Sequence, residues 1–269
     1  MIVWVTALRA EAKPLVSAFA LRACSGETPW PLYMSADDEV ALVVSGVGRT
    51  ASAAASGWAH GRLARSGSVG WINAGIAGHR TGPVGRLLTA HKVIDSATDR
   101  VWYPPILPGV ALPSETVITV DRPERDFTVP GLYEMEAAGF LAATGRWATV
   151  ELCQVAKVIS DTPAAPPEEL SASRVSELMA AELEGLTELA VAVEASAAEL
   201  AGRDLDPPTL DPWLDRWHFT VSQRRQLRRL LSRHRALEAS TPASLPGAAR
   251  DGADALRALG RHVDQLAEA

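Results

Sequence analysis

Carboxylates stand at three places in the sequence where acid–base chemistry could be done. Asp161 follows a strand-like run that ends at Ile159, directly before a proline-rich stretch, and Glu11 and Glu136 each stand beside the first turn of a predicted helix. A carboxylic acid can protonate a leaving group, and a carboxylate can accept hydrogen bonds from a diol or a proton from water. Cleavage of a glycosidic bond, which needs an acid at the leaving group, uses such groups.

Each of these carboxylates also has a purely structural interpretation. Ser160-Asp161 is a common turn or helix N-cap pair, because short polar side chains accept hydrogen bonds from nearby backbone N–H groups. Glu11, Glu134 and Glu136 would stabilise the positive end of a helix dipole whatever else they do. The local residues alone leave both interpretations open.

Two glycine-rich segments could bring backbone N–H groups against a ligand. Residues 46–48 lead into a predicted helix at Thr50, and residues 75–78 follow a predicted strand. Glycine permits close approach of the backbone, and a helix N-terminus attracts anions. Both segments are therefore predicted to be turns at a binding site. Further donors near them are Arg9, Arg49 and His79.

The elements that would position these residues alternate between strands and helices. β-Branched runs separated by Ala-rich amphipathic segments are typical of a sheet with helices on its faces. Ligands bind at the carboxyl ends of the strands in such proteins, and the proline-rich stretches 103–113 and 162–167 are predicted loops there. The predicted strands are 2–6, 40–45, 69–73, 85–94, 116–120 and 150–159, and the predicted helices are 9–21, 50–65, 137–144 and 168–201.

The composition changes after Gly202. Residues 204–212 form a Pro/Asp-rich linker, Thr220 and Gln223 make a capping-box pattern, and a second amphipathic pattern occupies 244–269. Two domains are therefore predicted, 1–201 and a helical C-terminal extension 202–269. The extension is rich in arginine, but the whole chain carries a formal net charge of −6, so nucleic acid is not an expected partner. Docking against an acidic protein surface is favoured.

The overall composition is that of an ordinary globular protein, with 269 residues, 47% hydrophobic and 22% charged. Cys24 and Cys153 have no CxxC or Cys/His companion spacing, so neither a disulfide framework nor a metal site is predicted, and no cofactor is expected. No apolar run reaches membrane-spanning length, and the first strand begins without a preceding signal sequence. A cytoplasmic protein without membrane contact is expected.

Four motifs occur in the order and approximate spacing of one family. They are Thr6-Ala7-Leu8-Arg9-Ala10-Glu11, Ser45-Gly46-Val47-Gly48, Asn73-Ala74-Gly75-Ile76-Ala77-Gly78, and Glu134-Met135-Glu136-Ala137-Ala138 followed by Ile159-Ser160-Asp161. The ordered set resembles the bacterial methylthioadenosine/S-adenosylhomocysteine nucleosidases, the futalosine hydrolases and the purine nucleoside phosphorylases. The resemblance ends before the extension. It implies the α/β fold class, a purine nucleoside phosphorylase-like three-layer core with a mixed central sheet, and a dimer or larger homo-oligomer.

The resemblance implies catalytic roles for two carboxylates. Asp161 matches the aspartate that protonates N7 of the departing purine, and Glu11 matches the glutamate that holds and deprotonates the attacking water. Lys157 stands where the nucleosidases have an arginine that supports the same water. Lysine keeps the charge but loses the planar fork of donors, so the water would be held less rigidly.

The resemblance also implies a set of substrate-binding residues. Glu136 matches the carboxylate that accepts hydrogen bonds from the ribose hydroxyls, Met135 matches the residue that packs on the sugar, and Glu134 has no implied role. The segment between Val120 and Glu134 is shorter than in the family, which leaves Phe127 either to stack on the base or to lie in the core. The other predicted binding residues are Ser160, Gly75, Ile76, Ala77 and Gly78.

The reaction implied by the resemblance is hydrolysis of the N-glycosidic bond of a purine-type nucleoside, such as a 5′-modified adenosine, with release of the base. Ile76 replaces a serine of the nucleosidases, which argues against a phosphate cradle. Two rivals stay open. One is a phosphate-dependent phosphorylase of the same fold, and the other is a non-catalytic nucleoside-binding or scaffold protein, which the shortened segment and the extra helices would suit.

Overall fold

The computed structural model divides into two compact units, Met1–Ala201 and Gly202–Ala269. It describes residues 1–63, 68–165, 170–203, 210–237, 247 and 249–268. Each unit contains hydrophobic clusters of its own.

Ten strands form one mixed sheet in the first unit. In chain order they are β1 (Ile2–Thr6), β2 (Arg22–Ala23), β3 (Leu32–Met34), β4 (Val40–Val44), β5 (Gly70–His79), β6 (Leu87–Asp95), β7 (Val101–Trp102), β8 (Ser114–Thr119), β9 (Leu132–Glu134) and β10 (Cys153–Asp161). Their order across the sheet is β10-β6-β8-β9-β5-β1-β4-β3-β2, with β7 paired to β6. Because β10 also pairs with β5, the strands β5, β9, β8, β6 and β10 close into a ring. The strands β1, β5 and β10 run parallel to one another, so their carboxyl ends lie at the same edge of the sheet.

Helices cover both faces of the sheet. The first unit contains α1 (Arg9–Ala18), α2 (Arg49–Leu63), α3 (Ala137–Thr144), α4 (Ala172–Ala181) and α5 (Leu183–Arg203). Successive side chains of a strand point to opposite faces, so Val3 and Val5 of β1 enter the core beneath α2 and α3, whereas Trp4 enters the core beneath α1, α4 and α5. The predicted three-layer α/β fold with a mixed central sheet is confirmed.

The predicted glycine turn at residues 75–78 is wrong, because β5 does not end at Asn73 but continues to His79. Gly75 leaves room for the Glu11 side chain and does not form a turn, since a Cβ at this position would lie 2.6 Å from Glu11 Oε1. The segment 46–48 is a turn as predicted, and Gly46 and Gly48 have φ angles of 83° and 102°.

Further predicted boundaries differ. The predicted helix 9–21 ends at Ala18. The predicted helix 168–201 is two helices, α4 and α5, which separate at Glu182, where the φ of −105° and ψ of 14° leave the helical region. Residues 150–152 form a 3₁₀ turn, and the strand begins only at Cys153. The predicted helix ends at 64–65 and 168–169 lie outside the described residues.

Helices α2 and α3 approach one another at Gly139. A Cβ on this residue would overlap the carbonyl oxygen of Arg49, the first residue of α2. Glycine is therefore required for the start of α3 to lie against the turn at 46–48, and this contact places the residue that precedes α3, Glu136, beside that turn.

The second unit is helical, with α6 (Leu210–Arg216), α7 (Val221–Leu237) and α8 (Gly252–Glu268) around Trp213 and Trp217. The predicted capping box is confirmed: Thr220 N donates to Gln223 Oε1 at 2.9 Å, and Gln223 N donates to Thr220 Oγ1 at 3.3 Å. The predicted linker 204–212 is wrong at its end, because residues 210–212 belong to α6. Residues 204–209 of that linker, and 244–246, 248 and 269 of the second pattern, lie outside the described residues. Within the described part of the chain, no helix has the length and apolar character needed to cross a bilayer.

Candidate active site

A cavity of about 300 Å³ opens at the carboxyl edge of β1, β5 and β10. This volume lies at the lower end of the range of about 300–1,000 Å³ that is usual for small-molecule sites. The edge is where an α/β sheet offers several strand ends to one ligand. Nine of the predicted site residues line the cavity, namely Glu11, Ile76, Ala77, Gly78, Phe127, Met135, Glu136, Ser160 and Asp161.

Glu11 is held by backbone N–H groups from two segments. Its Oε2 accepts hydrogen bonds from Ala7 N at 2.9 Å and Leu8 N at 2.8 Å, and its Oε1 accepts one from Ile76 N at 3.0 Å. Burial raises its pKa, against the opposing effects of Lys157 and of these donors. Glu11 thus closes the start of α1, as its structural interpretation required, and also faces the cavity with the raised basicity that proton abstraction needs.

Asp161 ends β10 with its side chain 7% exposed. Ser160 Oγ lies 2.5 Å from Asp161 Oδ1, which accepts its hydrogen bond. Gly78 leaves room for this carboxyl group, because a Cβ there would lie 2.6 Å from Oδ2. Asp161 therefore meets the cavity from the strand end that the sequence indicated.

The helix-cap interpretation of Ser160-Asp161 is wrong. The next described helix, α4, begins at Ala172, and its N-cap is Ser171, whose side chain accepts a hydrogen bond from Arg174 N. Asp161 is instead followed by a short turn in which Thr162 and Ala165 form a bridge.

Glu134, to which the sequence assigned no role, connects several segments of the site. Its Oε2 lies 2.8 Å from Lys157 Nζ and accepts hydrogen bonds from Glu136 N at 3.0 Å and Ala137 N at 2.8 Å. Its Oε1 accepts a hydrogen bond from Thr119 Oγ1 at 2.5 Å. Glu134 thus binds the start of α3 to β8 and β10 through one buried carboxylate.

Glu136 lies between the turn at 46–48 and Lys157. Gly48 N donates to its Oε1 at 2.8 Å, and its Oε2 is 4.0 Å from Lys157 Nζ. Burial raises its pKa to about 7; Lys157 opposes this effect, and Glu134 and Glu11 add to it. The Glu136 carboxyl group therefore takes up a proton more readily than an exposed glutamate does.

Lys157 and Gly75 lie behind the cavity wall and do not line it. Lys157 is 1% exposed and binds Glu134. Burial alone would lower its pKa, but the three neighbouring carboxylates outweigh burial and hold the pKa above its usual value. Lys157 is therefore not part of the cavity lining, and its support of the attacking water stays a prediction. Gly75 is covered by Glu11.

Phe127 combines the two positions that the sequence left open. It is 2% exposed and packs edge to face on Tyr133, with ring centroids 5.4 Å apart, yet it also lines the cavity beside Gly78. Tyr133 and Glu124 line the same side and were missed, since neither belongs to a recognisable motif.

The basic residues near the glycine-rich segments do not reach the cavity. Arg49 forms ion pairs with Asp95 and Asp121. His79 Nδ1 accepts hydrogen bonds from the backbone at residues 81 and 82, and Arg9 lies outside the lining. Within the described ranges, no cluster of His, Cys, Asp and Glu has the form of a metal site.

Comparison with known proteins identifies relatives by structure only. No protein-family model and no curated protein sequence matches the chain. The apo 5′-methylthioadenosine nucleosidase of Arabidopsis thaliana aligns with 71% of this chain and 95% of its own, with a TM-score of 0.60 and 18% identity.

Two bacterial structures align similarly. For the futalosine hydrolase of Helicobacter pylori strain 26695 the coverage is 71% of this chain and 97% of that one, the TM-score is 0.57 and the identity is 13%. For the 5′-methylthioadenosine/S-adenosylhomocysteine nucleosidase of Campylobacter jejuni the coverage is 70% of this chain and 97% of that one, the TM-score is 0.58 and the identity is 15%. At such identities the likeness establishes the fold alone. The mixed sheet, its two helical layers and these neighbours show that the chain has the nucleoside phosphorylase/nucleosidase fold that the four motifs predicted.

Proposed function

We propose that the protein hydrolyses the N-glycosidic bond of a purine-type nucleoside. The observation that carries this proposal is the charge of the cavity. Among the described residues, its lining contains no arginine, lysine or histidine. It contains instead the carboxyl groups of Glu11, Glu124, Glu134, Glu136 and Asp161, of which Asp161 is proposed to act in its protonated form. A cavity of this kind stabilises a ribose that becomes positively charged as the bond breaks and repels an anionic nucleophile.

In the proposed reaction the bond between C1′ of the ribose and N9 of the purine breaks, and its electron pair passes to the base. Asp161 delivers a proton to N7, so the base leaves neutral. The oxygen of a water molecule bonds to C1′, and Glu11 accepts the proton that this water loses. Acid and base contributions of this type are each worth about 10²- to 10⁴-fold in rate.

Glu136 is the proposed acceptor for the ribose hydroxyls. The hydrogen bond from Gly48 N fixes one of its oxygens, which orients the carboxylate toward the cavity. A charged acceptor binds a diol more strongly than a neutral one. Met135 is adjacent in the lining and is proposed to pack on the sugar.

The neighbours suggest which nucleosides to test first. The Helicobacter pylori nucleosidase was solved with butyl-thio-DADMe-Immucillin-A, and a point mutant of that enzyme was solved with 5′-methylthioadenosine in the active site. We therefore propose 5′-modified adenosines as the substrate class for this chain. The dimer implied by the family resemblance stays a prediction, which light scattering would check.

A phosphorylase would need hydrogen-bond donors for a phosphate dianion. The positions of the basic residues do not favour such a phosphate site. The Arg49 guanidinium is bound by two carboxylates, and Arg9 and His79 lie outside the lining. A phosphate beside Glu11 and Glu136 would face like charges without a cation in the described cavity wall. Water, which is neutral, meets no such repulsion.

The test of the proposal is cleavage of 5′-modified adenosines in phosphate-free buffer. We expect release of the base at a rate that added phosphate does not increase, with the free 5′-modified ribose as the second product. Chromatography of both products, with and without phosphate, measures this. Formation of ribose 1-phosphate would establish the phosphorylase instead, and binding of the whole nucleoside panel without cleavage would establish the non-catalytic rival.

Substituting Glu136 by glutamine should weaken the binding of nucleosides more than the binding of free bases. The amide carbonyl can still accept the hydrogen bond from Gly48 N, but the charge that receives the ribose hydroxyls is lost. Affinity for a nucleoside should fall by about 10- to 100-fold, the usual range for a hydrogen bond to a charged group, while affinity for the free base changes little. Calorimetric titration with both ligands decides the matter. Equal losses for nucleoside and base would assign Glu136 a structural role.

A further inference from the structure

The buried charges around Lys157 do not balance. Lys157 comes from β10, Glu134 from β9, Glu136 from the residue before α3 and Glu11 from α1, and all four side chains are buried. One ammonium therefore serves three carboxylates, and a buried charge without a partner is costly. At least one of the carboxylates must compete for the cation or take up a proton.

The geometry decides which carboxylate receives the cation. Glu134 Oε2 is 2.8 Å from Lys157 Nζ, whereas Glu136 Oε2 is 4.0 Å away. Glu134 is also held by two backbone N–H groups and by Thr119 Oγ1, so its carboxylate is already hydrogen bonded on both oxygens. Glu136 has one donor within hydrogen-bond distance in the described contacts, Gly48 N.

We propose that Glu134 is a positioning residue that keeps the Lys157 ammonium on itself and away from Glu136, so that the sugar-binding carboxylate, farther from the cation, is the one of the three that takes up a proton. The arrangement of these charges exists without any ligand. Only the assignment of Glu136 as the carboxylate that binds the sugar rests on the proposed function. The charged groups that face Glu136 are Lys157, Glu134 and Glu11, and the polar contact from the fourth side is Gly48 N.

The sign of each substitution follows from this arrangement. Glu134→Gln removes a negative neighbour and frees Lys157 for Glu136, so the pKa of Glu136 should fall. Lys157→Met removes the only one of these charged neighbours that lowers this pKa, so the pKa should rise. Thr119→Val removes the hydroxyl bound to Glu134 but keeps every charge, and is the matched control for local disturbance.

The experiment is an infrared titration of the ligand-free protein, followed through the carbonyl band of protonated carboxyl groups. We expect a band that disappears with a midpoint near pH 7 in the wild type. The band should be missing in Glu136→Gln. In Glu134→Gln the midpoint should fall by about 1 to 3 pH units, the range for a carboxylate that gains an opposite charge nearby. It should stay in place in Thr119→Val.

Three results would overturn the proposal: no band with a midpoint near pH 7 in the wild type, a band with that same midpoint in Glu136→Gln, or equal midpoints in the wild type and Glu134→Gln. The first two need no substitution of Glu134 and hold even if that variant does not fold.

A parallel calorimetric series with a 5′-modified adenosine separates this proposal from the proposed function. If both are correct, the dissociation constant should rise about tenfold for each pH unit below 7, because only ionised Glu136 binds the diol. Titration of Glu136 as expected, without any nucleoside binding, would sink the proposed function and leave the role of Glu134 standing.

Discussion

Asp161→Asn should lower kcat for a cleaved nucleoside by about 10²- to 10⁴-fold, the contribution usually made by a positioned acid. The amide has the shape of the carboxyl group, and its carbonyl oxygen can still accept the hydrogen bond from Ser160 Oγ. It cannot deliver a proton to the departing base, so the base would have to leave as an anion. Single-turnover measurement of base release, which separates chemistry from binding, gives the rate.

Glu124→Gln is the matched control for this substitution. Glu124 also lines the cavity, and its Oε1 accepts hydrogen bonds from Arg125 N and Asp126 N at 2.8 Å, which a glutamine carbonyl can preserve. Because Glu124 adds to the charge of the cavity but delivers no proton in the proposed reaction, the kcat of Glu124→Gln should fall far less than that of Asp161→Asn. An unchanged kcat in Asp161→Asn, or equal losses in both variants, would remove Asp161 from the role of acid.

Glu11→Gln should also reduce kcat by about 10²- to 10⁴-fold, because an amide cannot accept the proton of the attacking water. This variant should in addition lose stability. The carboxylate accepts hydrogen bonds on both oxygens, and glutamine must turn its NH₂ group toward either Ile76 N or the pair at Ala7 and Leu8. A buried donor left without an acceptor costs about 1–3 kcal/mol in the free energy of unfolding.

The two effects of Glu11→Gln are separable. Urea denaturation gives the change in stability, and calorimetric binding of the free base reports whether the cavity is intact. We expect the free base to bind with little change, because Glu11 is proposed to act at the sugar. Retained kcat in phosphate-free buffer would exclude Glu11 as the base. Loss of free-base binding together with kcat would show that the substitution collapses the site.

The sequence predicted the alternation of strands and helices, and the position of two carboxylates at its boundaries, because these signals are local; the three-layer core with a mixed sheet was implied by the ordered motifs. The alternation of β-branched and Ala-rich runs depends on neighbouring residues, and strand ends in a parallel sheet meet at a common edge. Asp161 and Glu11 could therefore be placed before the structure was known. The N-cap alternative for Asp161 could be rejected only when the start of α4 at Ala172 was known.

Other parts of the site depend on contacts between distant segments and left no local signal. The role of Glu134 is set by Lys157 of another strand, and the charge on neither residue indicates its partner. Glycines 75 and 78 had the composition of a turn, but β5 continues through both of them. Glycine is needed at these positions because the side chains of Glu11 and Asp161 occupy the space that a Cβ atom would take. Composition cannot distinguish these two uses of glycine.

The division into two compact units, each with hydrophobic packing of its own, determines what a melting experiment on this protein reports. The clusters around Val5 and Trp4 belong to the first unit, and the cluster around Trp213 and Leu231 belongs to the second. A chain with two compact units need not unfold in one cooperative step, so a single midpoint would not define its stability. Circular dichroism sums the helices of both units, whereas an assay of the proposed base release reports on the unit that contains the cavity. Stability changes in site variants are therefore best assigned by a probe confined to the sheet.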